Sequence, residues 1–154
     1  ILSDQNFSFL HCVTIYPTPV DKLNLNRIDY LRQFTDSVGF SDHTSPSQHG
    51  INPDIVAMWK GADVIERHFT VLDASQTKDG PVSVNPEQLK NIVDYSKYNL
   101  DELSKLIENI PDYDKMLGSK THSLSEEELL NRDYYRGRFA SKINGKTIYN
   151  WEES

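Results

Sequence analysis

Three short β-like runs mark the first half of the chain, at residues 7–13, 37–41 and 63–69. Each gives way to turn residues and then to apolar positions at helical spacing, which predicts alternating strands and helices. Within 24–34, Ile28, Leu31 and Phe34 recur three apart behind an Asn able to cap. Asn52 is the expected cap of a second helix, with Pro53 at its first position and Ile55, Val56, Met58 and Trp59 along it. Connections of this kind carry the chain between parallel strands.

Beyond the third run comes a polar loop over 73–79 and the turn pair Gly80-Pro81. Asn85 and Pro86 then open what reads as one long helix, with Leu89, Ile92, Val93, Ser96, Leu100, Leu103, Leu106 and Ile107 as its buried stripe, stopping near Pro111. From Gly118 the pattern turns to a polar linker, an acidic run at 125–128 and a basic cluster of Arg132, Arg136 and Arg138. Residues 139–149 alternate about Asn144-Gly145, as a hairpin does. The fold class expected is α/β.

Size narrows this. The chain has 154 residues, enough for one core but short of the roughly 250 in a complete eight-stranded α/β barrel. A composition of 37% hydrophobic and 25% charged residues is that of a folded globular protein. The formal charge of −7, with scattered basic residues, argues against a nucleic-acid partner. Cys12 is the single cysteine, so no internal disulfide forms and a reducing, cytoplasmic setting fits. No run approaches the length of a membrane span, and the first residues lack the order of a signal peptide. The chain begins at Ile1 without a methionine, and it is expected to be a piece of a longer polypeptide.

Candidate chemistry sits at strand ends. His11, His43 and His68 each lie at or near the C-terminal end of a predicted strand, the face on which parallel barrels carry their sites. His43 and His68 are 25 residues apart, about one βαβ step, so they are expected to emerge from neighbouring strands and can meet at one metal ion. Spacing alone does not single out a metal site, since either histidine can be a hydrogen-bonded core residue. Ser41-Asp42-His43-Thr44 adds hydroxyl, carboxylate and imidazole at one strand end, although such a run also makes an ordinary turn.

Three segments taken in order make a more specific case: Phe9-Leu10-His11-Cys12-Val13-Thr14-Ile15-Tyr16-Pro17-Thr18-Pro19, Val38-Gly39-Phe40-Ser41-Asp42-His43-Thr44, and Gly61-Ala62-Asp63-Val64-Ile65-Glu66-Arg67-His68-Phe69-Thr70. Together they resemble the last three barrel strands of the N-acetylneuraminate (sialic acid) synthases and their legionaminate and pseudaminate relatives. The resemblance covers about residues 7–90, and Arg136-Gly137-Arg138-Phe139-Ala140-Ser141 is similar to that family's exit toward its antifreeze-like domain. It implies strands six to eight of a (β/α)8 barrel over residues 1–117, incomplete on its own, with a linker and hairpin-like tail over 118–154.

The resemblance also implies roles. His43 and His68 fall on metal ligands for a divalent ion, Mn or Mg. Ser41 and Thr14 fall on phosphoenolpyruvate contacts, the latter at a position that is often Asn. Tyr16 falls in the sugar pocket, Asp42 is expected to give support from behind the ligands, and His11, which is not a metal ligand in the family, is expected to give packing or the same support. The family commonly has Gly-Pro-Asp where this chain has Gly80-Pro81-Val82, so Asp79 is the candidate substitute for binding sugar hydroxyls, with a plain loop carboxylate as the other reading. The implied reaction condenses phosphoenolpyruvate with an N-acetylated amino sugar to a nonulosonic acid and phosphate. The lysines and the acid/base glutamate of the family's first five strands have no counterpart here, and Lys60, Lys78 and Lys90 do not match them. A homodimer or a missing N-terminal half-barrel is therefore the expected protein partner, and a non-catalytic sugar- or phosphate-binding remnant is the competing reading.

Overall fold

A computed structural model of the chain describes residues 6–135, 140–143 and 145–149. Its first compact unit, Ile1–His122, is built on three parallel strands, β1 (Phe9–Cys12), β2 (Val38–Asp42) and β3 (Val64–Arg67), in sequential order. The register sets Cys12 beside Ser41, and Asp42 beside Arg67. The crossovers hold α1 (Arg27–Leu31), then α2 (Pro46–His49) and α3 (Asn52–Trp59). Behind β3 come α4 (Pro86–Tyr95), α5 (Leu100–Ile107) and α6 (Tyr113–Leu117). The expected parallel α/β arrangement is present.

Strand pleat divides the sheet into two faces. On one, Val38 and Phe40 are fully buried against Leu23, Leu25, Ile28, Ile55, Val56 and Ala57, with Leu103, Ile107 and Met116 closing the core. On the other lie Leu10, Cys12, Gly39, Ser41, Val64 and Glu66. Val64 remains 40% exposed on that face. Gly39 lets β3 come close: a Cβ there would stand 2.6 Å from the Val64 carbonyl oxygen and 2.8 Å from its Cβ.

The helices differ from the sequence expectation in instructive ways. The first is shorter than 24–34, and neither nearby Asn caps it. Asn24 adopts a left-handed φ of 51°, and its side-chain oxygen accepts from the Ser119 amide, while the Asn26 side chain donates to the Gly118 carbonyl. Both side chains tie this crossover to the segment after α6 instead. Asn52 is the first residue of α3, behind Ile51. The single long helix over 86–107 is two helices. Asn85 caps α4 with Gln88 closing a capping box, as expected, but Asn99 and Glu102 form a second box that starts α5 afresh. The supposed stripe therefore changes face, leaving Val93 and Leu100 49% and 60% exposed.

The second unit, Ser123–Ser154, has α7 (Glu126–Tyr135) and an antiparallel pair, β4 (Ala140–Ile143) with β5 (Lys146–Tyr149). The paired strands match the hairpin expected about Asn144-Gly145, although Asn144 itself lies outside the described residues. The acidic run starts a helix: the Ser125 hydroxyl accepts from the Glu128 amide and the Glu128 carboxylate from the Ser125 amide. Arg136, Gly137, Arg138 and Phe139, which carry the resemblance to a domain exit, also lie outside the described residues. No helix among the described residues is long and apolar enough to cross a membrane.

Candidate functional site

Because β2 and β3 are parallel and in register, the residue following each strand projects from the same end of the sheet. These are His43 and His68, with ring centroids 5.1 Å apart and planes tilted by 59°. The Tyr16 ring lies over both, at 4.1 Å from His43 and 6.1 Å from His68. Cys12 approaches from β1, its Sγ 3.7 Å from His43 Nδ1. On the same face the Ser41 hydroxyl donates to Glu66 Oε1 at 2.7 Å. The Asp79 carboxylate comes within 3.8 Å of His68 Nδ1. One end of the open face thus collects two imidazoles, a phenol, a thiol, a hydroxyl and two carboxylates.

Other candidates are placed elsewhere. His11 is buried on the covered face, stacked on Phe40 with its Nε2 donating to the Leu23 carbonyl at 2.6 Å. Asp42 also turns toward the helices, so its carboxylate does not join Ser41 and His43. It accepts from the Thr44 amide at 2.7 Å and from the Thr44 hydroxyl at 3.1 Å, and pairs with Arg67 Nη1 at 2.7 Å. Thr14 lies two residues beyond β1 and is half-buried. Val82, at the position where a family aspartate was looked for, is 2% exposed. That place is a packed one.

Two site residues escaped the reading of the sequence. Glu66 was signalled by strand alternation, since it stands two residues before His68 and so shares its face. Arg67 was signalled only by being a charge inside an apolar strand. Its side chain is 2% exposed, between Asp42 and Asp54, whose side chains are fully buried. Burial raises both carboxyls. For Asp42 the Arg67 charge and the Thr44 hydrogen bonds oppose that rise, whereas Asp54 is pushed well up by burial and then by Asp42. Of the two carboxyls, Asp42 is the one in close contact with Arg67, at 2.7 Å against 3.7 Å for Asp54.

The electrostatics of the histidine pair suit a ligand. Burial, then the neighbouring His68, bring the His43 imidazole down to about 4, against weaker support from Glu66. A neutral ring keeps a nitrogen lone pair for a cation. His43 is charged below about 6.5 when unfolded but only below about 4 when folded. Across that window the unfolded chain binds the extra proton, so stability falls as pH falls. The urea midpoint of metal-free protein should drop between about pH 6.5 and about pH 4.5, and H43Q should flatten the drop. An unchanged profile in H43Q would contradict it.

Whether the residues fit a divalent ion follows from the donor set. Two imidazoles on adjacent strand ends are borderline donors suited to first-row divalent ions. Among the described residues no group of three His, Cys, Asp or Glu side chains is arranged to hold an ion. Two imidazoles supply two donors, and any ion they held would take its remaining ligands from elsewhere.

Comparison with known proteins bears on what such a site serves. Residues 2–100 match the family model described as "NeuB family". The chain is 36% identical over 142 residues to the spore coat polysaccharide biosynthesis protein SpsE of Bacillus subtilis, covering 90% of this chain and 37% of SpsE. It is 40% identical over 87 residues to the N,N'-diacetyllegionaminic acid synthase of Campylobacter jejuni, covering 56% of this chain and 25% of that enzyme. The crystal structure of Bacillus subtilis SpsE superposes with a TM-score of 0.67 at 33% identity, over 84% of this chain and 36% of SpsE. The chain thus spans between a quarter and two fifths of the length of these relatives.

Proposed function

The chain belongs to the NeuB family, and from that premise we propose that it carries the metal-binding part of a synthase joining phosphoenolpyruvate to an N-acetylated amino sugar. The products are a nonulosonic acid and phosphate. The observation that carries this reading is the convergence of His43, His68, Tyr16, Ser41 and Glu66 at one end of the open sheet face. Relatives named legionaminic and pseudaminic acid synthases support the reaction class.

In this proposal His43 and His68 hold a divalent ion, Mn or Mg, whose chemistry when bound is Lewis-acid polarisation of the sugar aldehyde oxygen. Ser41 and Thr14 contact phosphoenolpyruvate. The Ser41 hydroxyl, already oriented by Glu66, can turn its donor toward a carboxylate or phosphate oxygen. Tyr16 gives the sugar an aromatic wall, and the position of Asp79 beside His68 lets its carboxylate accept sugar hydroxyls or steady that ring. Positioning and a dry, preorganised field are what these groups contribute.

The proposed architecture is strands six to eight of a (β/α)8 barrel over residues 1–117, followed by a linker and tail over 118–154. Parallel sheets are ordinarily covered on both faces. Here Val64 on the open face and Leu89 and Val93 on α4 remain partly exposed, as they would where further barrel elements pack. The test is phosphate release from phosphoenolpyruvate by the barrel-complete protein with manganese and N-acetylmannosamine or a related 6-deoxy diamino sugar. Release that requires both sugar and ion supports the reading, and release indifferent to the sugar contradicts it.

A further inference from the structure

The two histidine-bearing strand ends are joined on both faces, by Ser41 and Glu66 on the site face and by Asp42 and Arg67 on the face away from it, each at 2.7 Å. Arg67 immediately precedes His68 in the chain, and its guanidinium crosses to β2. There Nη1 pairs with the Asp42 carboxylate at 2.7 Å and donates to the Asp42 carbonyl at 3.2 Å. The same nitrogen lies 3.5 Å from both the carbonyl and the hydroxyl of Thr44. Asp42 and Thr44 are the residues on either side of His43. One side chain therefore grips the backbone flanking the first histidine while its own backbone leads into the second.

The ladder makes this grip matter. Paired β2–β3 residues end at Asp42 and Arg67, so His43 and His68 stand one residue beyond the last pair, where strand pairing no longer fixes their separation. Arg67 extends the register by one position. On its far side Nε faces Asp54 Oδ2 of α3 at 3.7 Å, which braces the guanidinium from the helix layer. Nη1 alone makes the contacts to Asp42 and Thr44, held in place by a planar, rigid fork, whereas an ammonium is a compact point charge on a flexible stem.

We infer that Arg67 is a positioning residue for the histidine pair: through Asp42 and the Thr44 backbone it sets the spacing of His43 and His68, and so the affinity and geometry of the ion they hold. This rests on the metal reading above. It assigns the buried ion cluster a task in ligand placement, separate from holding the core together. Asp54 braces Arg67 without touching the backbone around His43, so its loss should matter less at the site.

The test uses Co2+ as the probe, in the whole protein, because its visible absorption reports the arrangement of the ligands. R67K keeps the charge and loses the fork. It should weaken Co2+ binding about ten- to a hundredfold, the range for residues supporting metal ligands, and should shift the absorption of the ion-saturated, folded protein. D54N should leave the spectrum as in the wild type. If R67K does not fold, the charge-neutral pair D42N with R67Q, which removes the Asp42–Arg67 ion pair, takes its place with the same expected shift. A wild-type spectrum in the folded, saturated variant overturns the inference whatever its melting temperature, because a purely stabilising role predicts that result. Wild-type protein that binds no Co2+ at all, with H43A indistinguishable from it, would instead sink the metal reading itself.

Discussion

Replacing either His43 or His68 with alanine should abolish metal-dependent turnover in the barrel-complete protein while leaving it folded. Each ring sits just beyond a strand end and outside the apolar core, so its removal takes a ligand without opening a core cavity. The Lewis-acid contribution of an ion to such a reaction is several kcal/mol, so the rate should fall by about three decades or more. The far-ultraviolet circular dichroism and the cooperativity of unfolding should stay as in the wild type. Turnover within tenfold of wild type in either variant would contradict the assignment.

The second large effect concerns what the chain does alone. The 154-residue chain should release no phosphate from phosphoenolpyruvate above background, even when folded and loaded with manganese. Phosphoenolpyruvate carries several negative charges, and many of the cations among the described residues are engaged elsewhere. Lys60 pairs with Asp29, Lys90 and Lys97 with Asp94, and Lys115 with Asp112. Arg67, directly beneath the histidines, is held by Asp42. An open sheet face also stays wet, and fixed charges act weakly through water. Supplying the segment that corresponds to the first five barrel strands should restore release. Turnover by the chain on its own would refute the half-barrel interpretation.

How far the sequence could lead depended on what kind of information each residue carried. The strands were legible because short β-like runs recurred, each followed by turn residues and then helical spacing, and the histidines because they lay at or near the ends of those runs. His43 and His68 met as their spacing suggested, since neighbouring parallel strands in register must bring equivalent ends together. His11 ends its own strand as plausibly, yet it faces the helices and bonds to Leu23. Which face a strand-end residue takes is a matter of pleat phase, settled by contacts with elements far along the chain. Asp42 shows the same thing, being one residue out of phase with Ser41 and His43.

The helices failed where two signals competed. Apolar spacing over 86–107 suited one continuous helix, but Asn99 with Glu102 supplied a local start signal that the spacing count ignored. An Asn side chain was expected to cap the first helix, yet those of Asn24 and Asn26 bind the backbone near Gly118 instead, a long-range choice that local pattern does not encode. Arg67 was hidden most deeply. Its partner Asp54 lies in the preceding helix, and a charge pair buried between layers leaves no periodic trace.

The claim on which everything here turns is that His43 and His68 form one site. The measurement that addresses it directly is a manganese titration, followed by electron paramagnetic resonance, of the barrel-complete wild type, H43A, H68A and the double variant. Two ligands of a single ion act as a unit, so each single replacement should remove nearly all the affinity and the double should lose little more than either alone. Unchanged affinity in both single variants, or small losses that simply add in the double, would show that the two rings do not share an ion.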